Sequence, residues 1–441
     1  MRRSCLVPAL VLAGAMVGSG AARAADDTLY GVFFTTATTT EGLVVVDPVT
    51  GGVAPIGAGI AGCCLVSSGV STLDAAGDVF FFVGHYQADP PGVNRLFSLD
   101  LDTGALLGDP ALTAGYNYNF IEHDPATATL YAVVHELATT SERLATLDPV
   151  TGALTTVGGA IAACCGVPSG TSALAPGDAF FFYGSRNDDA LGQRLFSLDL
   201  ATGALLADPV LPAGNNYNFL EYDPTSATVY GVVFETATTT ERLVVIDAGT
   251  GALAPLGAGI AGCCLVPGGV STIDPGDSFH FVGHYQADVG ETDRIFTLAL
   301  ADGSLVGDPL LPVGSNENFL EFDPAPEPIE VVIDIKPGSF PNSVNPGNKG
   351  VVPVAVLTTP EFDAATVDPA TARFGPAAAP IAHAHGHLED VDGDGDVDLM
   401  LHFRTALTGI ACGDTEAVLT AETFGGDPVF GSDSVNPVPC P

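Results

Sequence analysis

The sequence predicts an all-β protein, a six-bladed β-propeller followed by a small C-terminal β-sandwich. Three observations predict it: an internal repeat of about 100 residues, a division of each repeat into two similar four-strand halves, and an odd strand left over at the end of the array. Asn119-Phe120-Ile121-Glu122-His123-Asp124-Pro125 returns as Asn218-Phe219-Leu220-Glu221-Tyr222-Asp223-Pro224 and as Asn318-Phe319-Leu320-Glu321-Phe322-Asp323-Pro324. The cysteine pairs 63/64, 164/165 and 263/264 keep the same beat.

Within a repeat, one half carries Leu130 to Val134, Arg143-Leu144-Ala145-Thr146-Leu147-Asp148 and Thr151-Gly152. The other carries Phe180 to Gly184, Arg194-Leu195-Phe196-Ser197-Leu198-Asp199 and Thr202-Gly203. Short apolar runs punctuated by Gly, Pro and Asp read as antiparallel strands joined by turns. Four-strand sets begin near residues 70, 119, 171, 218 and 270. The N-terminal end supplies only three strands, near 30–34, 43–47 and 53–56, and 318–324 has no blade behind it. The economical arrangement closes a ring by pairing that last strand with the first three, which leaves no long sheet edge exposed.

These blades resemble repeat propellers of the L-Y-x-V … L-x-x-[IV]-D-x-x-T-G type found in exported bacterial proteins. The resemblance covers roughly residues 28–325 and implies a fold without a chemistry.

Residues 1–24 read as a signal peptide, with Arg2 and Arg3, an apolar run from Cys5 to Val17 and an Ala22-Arg23-Ala24 cleavage site. The propeller is assigned to 25–325 and the C-terminal module to 326–441. The expected location is secreted or periplasmic, without a membrane anchor. The chain holds 13 Lys+Arg against 52 Asp+Glu, a net charge of −39 that becomes −42 once the three arginines of the signal are removed. Such a surface repels polyanions, so nucleic acid is excluded and a neutral or cationic extracellular ligand is expected.

Eight cysteines remain in the exported chain, an even number in an oxidising compartment. Cys63, Cys64, Cys164, Cys165, Cys263 and Cys264 could close as vicinal bridges, link around the axis, or stay free or metal-bound. Cys412 and Cys440 are left for each other.

Two sets of loops are expected on one face of the ring. Asn117, Asn119, Asn216, Asn218 and Asn318 lead into the inner strands. His85, Tyr86, His284 and Tyr285 lie in the second-to-third-strand loops, where Arg186 stands in the third copy. They form the candidate ligand face. No nucleophile elbow, metalloprotease helix or phosphate loop occurs, so no catalytic residue is assigned. The alternative is a metal-dependent, lactonase-like hydrolase with its site on the axis, since such enzymes hold a channel cation with Asn and acidic side chains. In that analogy Asn119, Asn218 and Asn318 start the inner strands, and Glu122, Glu221 and Glu321 follow on the opposite face.

Past the Pro-rich stretch 324–328 come Ile333-Asp334-Ile335-Lys336-Pro337-Gly338-Ser339 and Glu389-Asp390-Val391-Asp392-Gly393-Asp394-Gly395-Asp396. These motifs resemble an uncharacterised module appended to many secreted microbial proteins, which implies an extracellular β-module with a calcium loop. Read as such a loop, Asp390, Asp392 and Asp394 take positions 1, 3 and 5, the carbonyl of Asp396 serves 7, and Asp398 stands at 9. Leu401 replaces the acid at position 12, and Asp414 or Glu416 is the candidate to complete the shell. His383, His385 and His387 alternate but read as solvated side chains.

Overall fold

The computed structural model describes residues 27–35, 40–63, 70–162, 164, 171–188, 191–265, 270–288, 293–313, 315–324, 328–383 and 385–439, with backbone alone at 264–265 and 315–317. The signal segment, Cys64, Cys165 and Cys440 lie outside them. The chain divides into two compact units, Asp27–Pro324 and the C-terminal part from Ala325.

The first unit is a β-propeller of antiparallel sheets; among the described residues four are four-stranded and two five-stranded. Sheet 1 orders Ser315–Asp323, Thr28–Thr35, Thr40–Val46 and Val53–Ala61, so the far end of the array supplies its first strand. Sheet 2 begins at Ser71–Asp74, sheet 3 at Tyr116–Asp124, sheet 4 at Ser172–Ala175, sheet 5 at Asn215–Asp223 and sheet 6 at Ser271–Asp274.

Why the second strands are continuous apolar runs follows from packing on both faces. In Val79–Gly84, Phe80 and Phe82 join the cluster shared with sheet 1, while Phe81 and Val83 join the cluster shared with sheet 3. A half-exposed strand would alternate; a strand covered on both sides does not. Each pair of consecutive sheets shares such a cluster. One of them holds Leu29 and Phe33 of sheet 1 against Val282 and Ile295 of sheet 6.

The rim repeats the pattern. Asp100 accepts from Thr103 N in its turn, and Gly104 follows at φ +64°. A Cβ there would lie 2.2 Å from Ile56 O of sheet 1. The same close approach recurs at Gly51, whose added Cβ would lie 2.3 Å from Leu310 O beyond sheet 6. Glycine in the T-G pairs is therefore required by a neighbouring backbone as well as by the turn.

In the second unit, Ile333–Ile335, Val351–Val356, Asp398–Arg404 and His387–Glu389 form one sheet. Ile329–Glu330, Pro428–Ser434, Glu416–Thr423, Val367–Phe374 and Ala379–Pro380 form another. One apolar cluster, with Ile335, Val354, Phe403, Phe374 and Leu419 at its centre, draws on both.

Candidate functional site

The first strands of the sheets meet side by side, and polar side chains tie them together. Ser71 Oγ donates to Glu321 Oε1 at 2.5 Å, Ser172 to Glu122 at 2.6 Å and Ser271 to Glu221 at 2.6 Å. Each bond crosses from an odd sheet to the next even one. Thr72 Oγ1 accepts from His123 N and Thr272 Oγ1 from Phe322 N, both at 2.9 Å, across two of the remaining seams.

Glu122, Glu221 and Glu321 come from alternate sheets and feel one another's charge. Burial pushes Glu122 up to about 7. Burial and the Glu122 charge push Glu321 up to about 8. Glu221 lies well above the usual carboxylate range, from burial first and then from both other glutamates. The first strands of alternate sheets thus gather three carboxyls of raised pKa into one space, near enough for their charges to interact.

The three asparagines do not share that space. The pairing runs Tyr118↔Val134 and then Phe120↔Val133, which leaves Asn119 as the extra residue of a β-bulge. The same slip isolates Asn218 and Asn318. Each side chain turns into its own sheet: Asn119 Nδ2 donates to Glu142 at 3.1 Å, Asn218 to Glu241 at 2.8 Å and Asn318 to Glu41 at 2.6 Å. Those three glutamates are 0% exposed. Burial raises Glu41 and Glu241 to about 8. Glu142 is raised by burial too, but His135 Nδ1 lies 2.8 Å from its Oε1 and opposes the rise. Phe34 and Phe234 stand at the paired positions in the other two repeats, so Glu41 Oε2 and Glu241 Oε2 have no hydrogen-bond partner.

Sequence reasoning missed Glu41, Glu142, Glu241 and the three serines. The signal was present, since Thr40-Glu41, Ser141-Glu142 and Thr240-Glu241 recur on the repeat's own beat at the head of apolar strands.

Several residues of the expected ligand face are bonded to neighbouring carboxylates. Tyr86 Oη donates to Asp109 Oδ2 at 2.8 Å, and the Arg95 guanidinium, paired with Asp89, lies 5.3 Å over the Tyr86 ring. Tyr285, Asp308, Arg294 and Asp288 repeat this unit. In the third copy Arg186 replaces the tyrosine and pairs with Asp208 at 2.5 Å. Cys63 bridges to Tyr86 through backbone, and Cys164 to Arg186. Burial, then the Asp109 bond, pushes the Tyr86 phenol up to about 12. His284 sits 3.2 Å from Asp293, and its counterpart in the first repeat, His85, is half-buried. Asn117 and Asn216 are exposed.

In the C-terminal unit Asp390, Asp392 and Asp398 each bring an oxygen within 4.8 Å of the others. Asp398 is fully buried and fixed by Thr358 N and Val391 N, both at 2.8 Å. Gly393 and Gly395 take φ +83° and +106°, which bends the loop around the group. Asp394 and Asp396 stand outside it, with Asp394 Oδ1 accepting from Asp396 N. Leu401 is buried in its strand, and Asp414 caps its own turn at Ala411 N. Of the alternating histidines, His387 alone lies in a strand. His383 and His387 flank His402, with ring centroids 5.9 and 6.1 Å from it, and His385 is exposed. Burial first, then these two neighbours, lowers the His402 pKa.

No protein-family profile matches the chain, and no curated protein matches it. Among solved structures it is similar to a nidogen/laminin complex, at 12% identity and TM-score 0.46, covering 67% of this chain and 98% of that one. It is also similar to the calcium-binding protein regucalcin of Agrobacterium tumefaciens, at 13% identity and TM-score 0.41, covering 78% and 92%. An oligogalacturonate lyase in complex with manganese aligns at 12% identity and TM-score 0.40, covering 86% and 96%. Likeness this distant assigns neither a ligand nor a reaction to the chain.

Proposed function

We propose that the chain is an exported, non-catalytic binding protein. In this reading the six sheets are the six blades of a propeller closed by one strand from its far end and three from its near end. The C-terminal unit is a small β-sandwich held by calcium, and the ring's ligand is a neutral or cationic extracellular molecule. Disulfides belong to the same reading: Cys63, Cys164 and Cys263 are at most 1% exposed, as structural bridges would be.

The engagement of the asparagines carries the choice of binding over hydrolysis. A hydrolase cation on the axis needs Asn amide oxygens and free carboxylates, yet Asn119, Asn218 and Asn318 are each drawn toward a buried glutamate. Burial raises Glu122 to about 7, Glu321 to about 8 and Glu221 well above the usual range, which suits hydrogen bonding to a ligand better than binding a metal. The competing hydrolase keeps one supporting feature, the three axial carboxyls themselves. A screen of lactones, esters and glycosides, with and without calcium, separates the two. No turnover is expected; turnover abolished by Asn218→Ala would establish the hydrolase instead.

Calcium is expected at Asp390, Asp392 and Asp398, with water and backbone oxygens filling the shell. Three protein carboxylates without an acid at position 12 suit a dissociation constant of about 10⁻⁴–10⁻³ M, adequate outside cells. Calorimetry on the full chain should show one such site, lost on Asp392→Asn with the fold intact. Absence of calcium heat in the parent protein would defeat the assignment.

A further inference from the structure

The seam where sheet 6 meets sheet 1 opens into a cleft of about 500 Å³. Its floor is buried: Leu29, Val46, Ser278, His280 and Thr297, with half-buried Phe322 beside them. Its mouth carries Asp27, Asp47, Asp274 and Asp277, and neither lysine nor arginine lines it.

The repeat supplies an internal control. The seam between sheets 2 and 3 has the corresponding cleft, smaller at about 340 Å³, where Asp74 stands for Asp274, Phe81 for His280 and His123 for Phe322. There His123 Nδ1 lies 3.7 Å from Asp74 Oδ1, so the seam provides its own imidazole partner for the carboxylate. At the 6–1 seam the imidazole and the aromatic ring have changed places. His280 now lies in the floor, with Nδ1 3.0 Å from Thr297 Oγ1 and Nε2 3.2 Å from Ser278 Oγ, and stacks on Phe322 with centroids 6.2 Å apart. Burial lowers its pKa to about 4, so this imidazole is neutral.

Asp274 thus loses the partner that Asp74 keeps. Burial, then Asp27, Asp277 and Asp223, raises it to about 6. Carboxylates in a partly buried mouth, over an apolar floor of ligand size, have the composition of a small-molecule site selective for positive charge.

We infer that the cleft at the 6–1 seam binds a small organic cation, an aryl- or alkylammonium. Its charge replaces the missing imidazole beside Asp274, and its apolar body lies against Phe322 and Leu29. This site is separate from the axial ring and from the calcium loop, and stands whichever reading of those holds.

Benzylammonium and its neutral counterpart benzyl alcohol are the probes, titrated calorimetrically into the full chain with calcium in excess, near pH 6.5. Benzylammonium should bind saturably, and benzyl alcohol at least roughly tenfold more weakly, since only the former carries the charge. Phe322→His rebuilds the imidazole–carboxylate pair of the 2–3 seam and should weaken benzylammonium by a similar factor. Asp274→Asn should do the same without adding a ring, and circular dichroism confirms that each variant is folded. Equal binding of amine and alcohol, no binding of the amine, or unchanged affinity in both variants would overturn the proposal.

Discussion

Deletion of residues 316–326 is expected to abolish cooperative folding of the first unit. The strand Ser315–Asp323 pairs along the whole of Thr28–Thr35, from Thr28↔Asp323 to Thr35↔Ser315. It brings Phe319 at 0% and Leu320 at 2% exposure into two different inter-sheet clusters. It also carries Asn318, the donor to buried Glu41, and Glu321, the acceptor from Ser71. Losing one buried phenylalanine costs about 3–5 kcal/mol. A domain's whole stability is about 5–15 kcal/mol. Removing the strand forfeits several such terms and bares an apolar edge that invites aggregation. Thermal denaturation followed by circular dichroism should show the transition lost or strongly lowered, and Phe319→Ala alone should lower it measurably. A deletion that melts like the parent would show that the far end does not close the ring.

That closing strand was legible in the sequence because the repeat leaves it without a blade of its own. The second strands were legible too, as apolar runs such as Leu130 to Val134 and Phe180 to Gly184. The pairing of Asn119 with Glu142 was not. A bulge shifts the side-chain parity at Asn119, and no periodicity reports an extra residue in one strand of a pair. Ser71 and Glu321 are 250 residues apart, and only the closed ring places them together. In the loops of the candidate ligand face the partners were not legible either: Tyr86 and Arg95 find their carboxylates within the same blade, at Asp109 and Asp89. In the C-terminal unit the apolar runs at Val351–Val356 and Asp398–Arg404 announced themselves. Val367–Phe374 did not, because Asp368, Pro369 and Arg373 interrupt its pattern. In the acidic loop the side chains of Asp390, Asp392 and Asp398 come together, and spacing alone cannot tell that those of Asp394 and Asp396 stand outside the group.

Raising the pH from about 5 to 9 should destabilise the first unit well before any base chemistry begins. Glu41, Glu241 and Glu321 are raised from 4.5 to about 8, and Glu122 to about 7, with burial the largest cause in each. An acid whose folded pKa lies above its unfolded one is held protonated by the fold. Its contribution is complete below about 4.5 and is lost progressively as pH rises from there through 7 to 8, because in that window only the unfolded chain ionises freely. The exposed turn aspartates act oppositely. Asp148 and Asp247 are held below the usual range by backbone N–H groups, Thr151 foremost for one and Thr250 for the other. Their contribution is present above about 3.8 and lost in acid. Stability should therefore peak near pH 4, between the two losses. Glu41 and Glu241 test the alkaline limb most cleanly, being fully buried with one oxygen unpartnered. Together they make a loss on the order of several kcal/mol between pH 5 and 9. The double variant Glu41→Gln/Glu241→Gln keeps an acceptor for Asn318 and Asn218 but cannot ionise. Urea melts at pH 5 should find it equal to the parent or slightly weaker, and at pH 9 clearly more stable. An alkaline slope as steep in the variant as in the parent would show that these carboxyls titrate without cost to the fold.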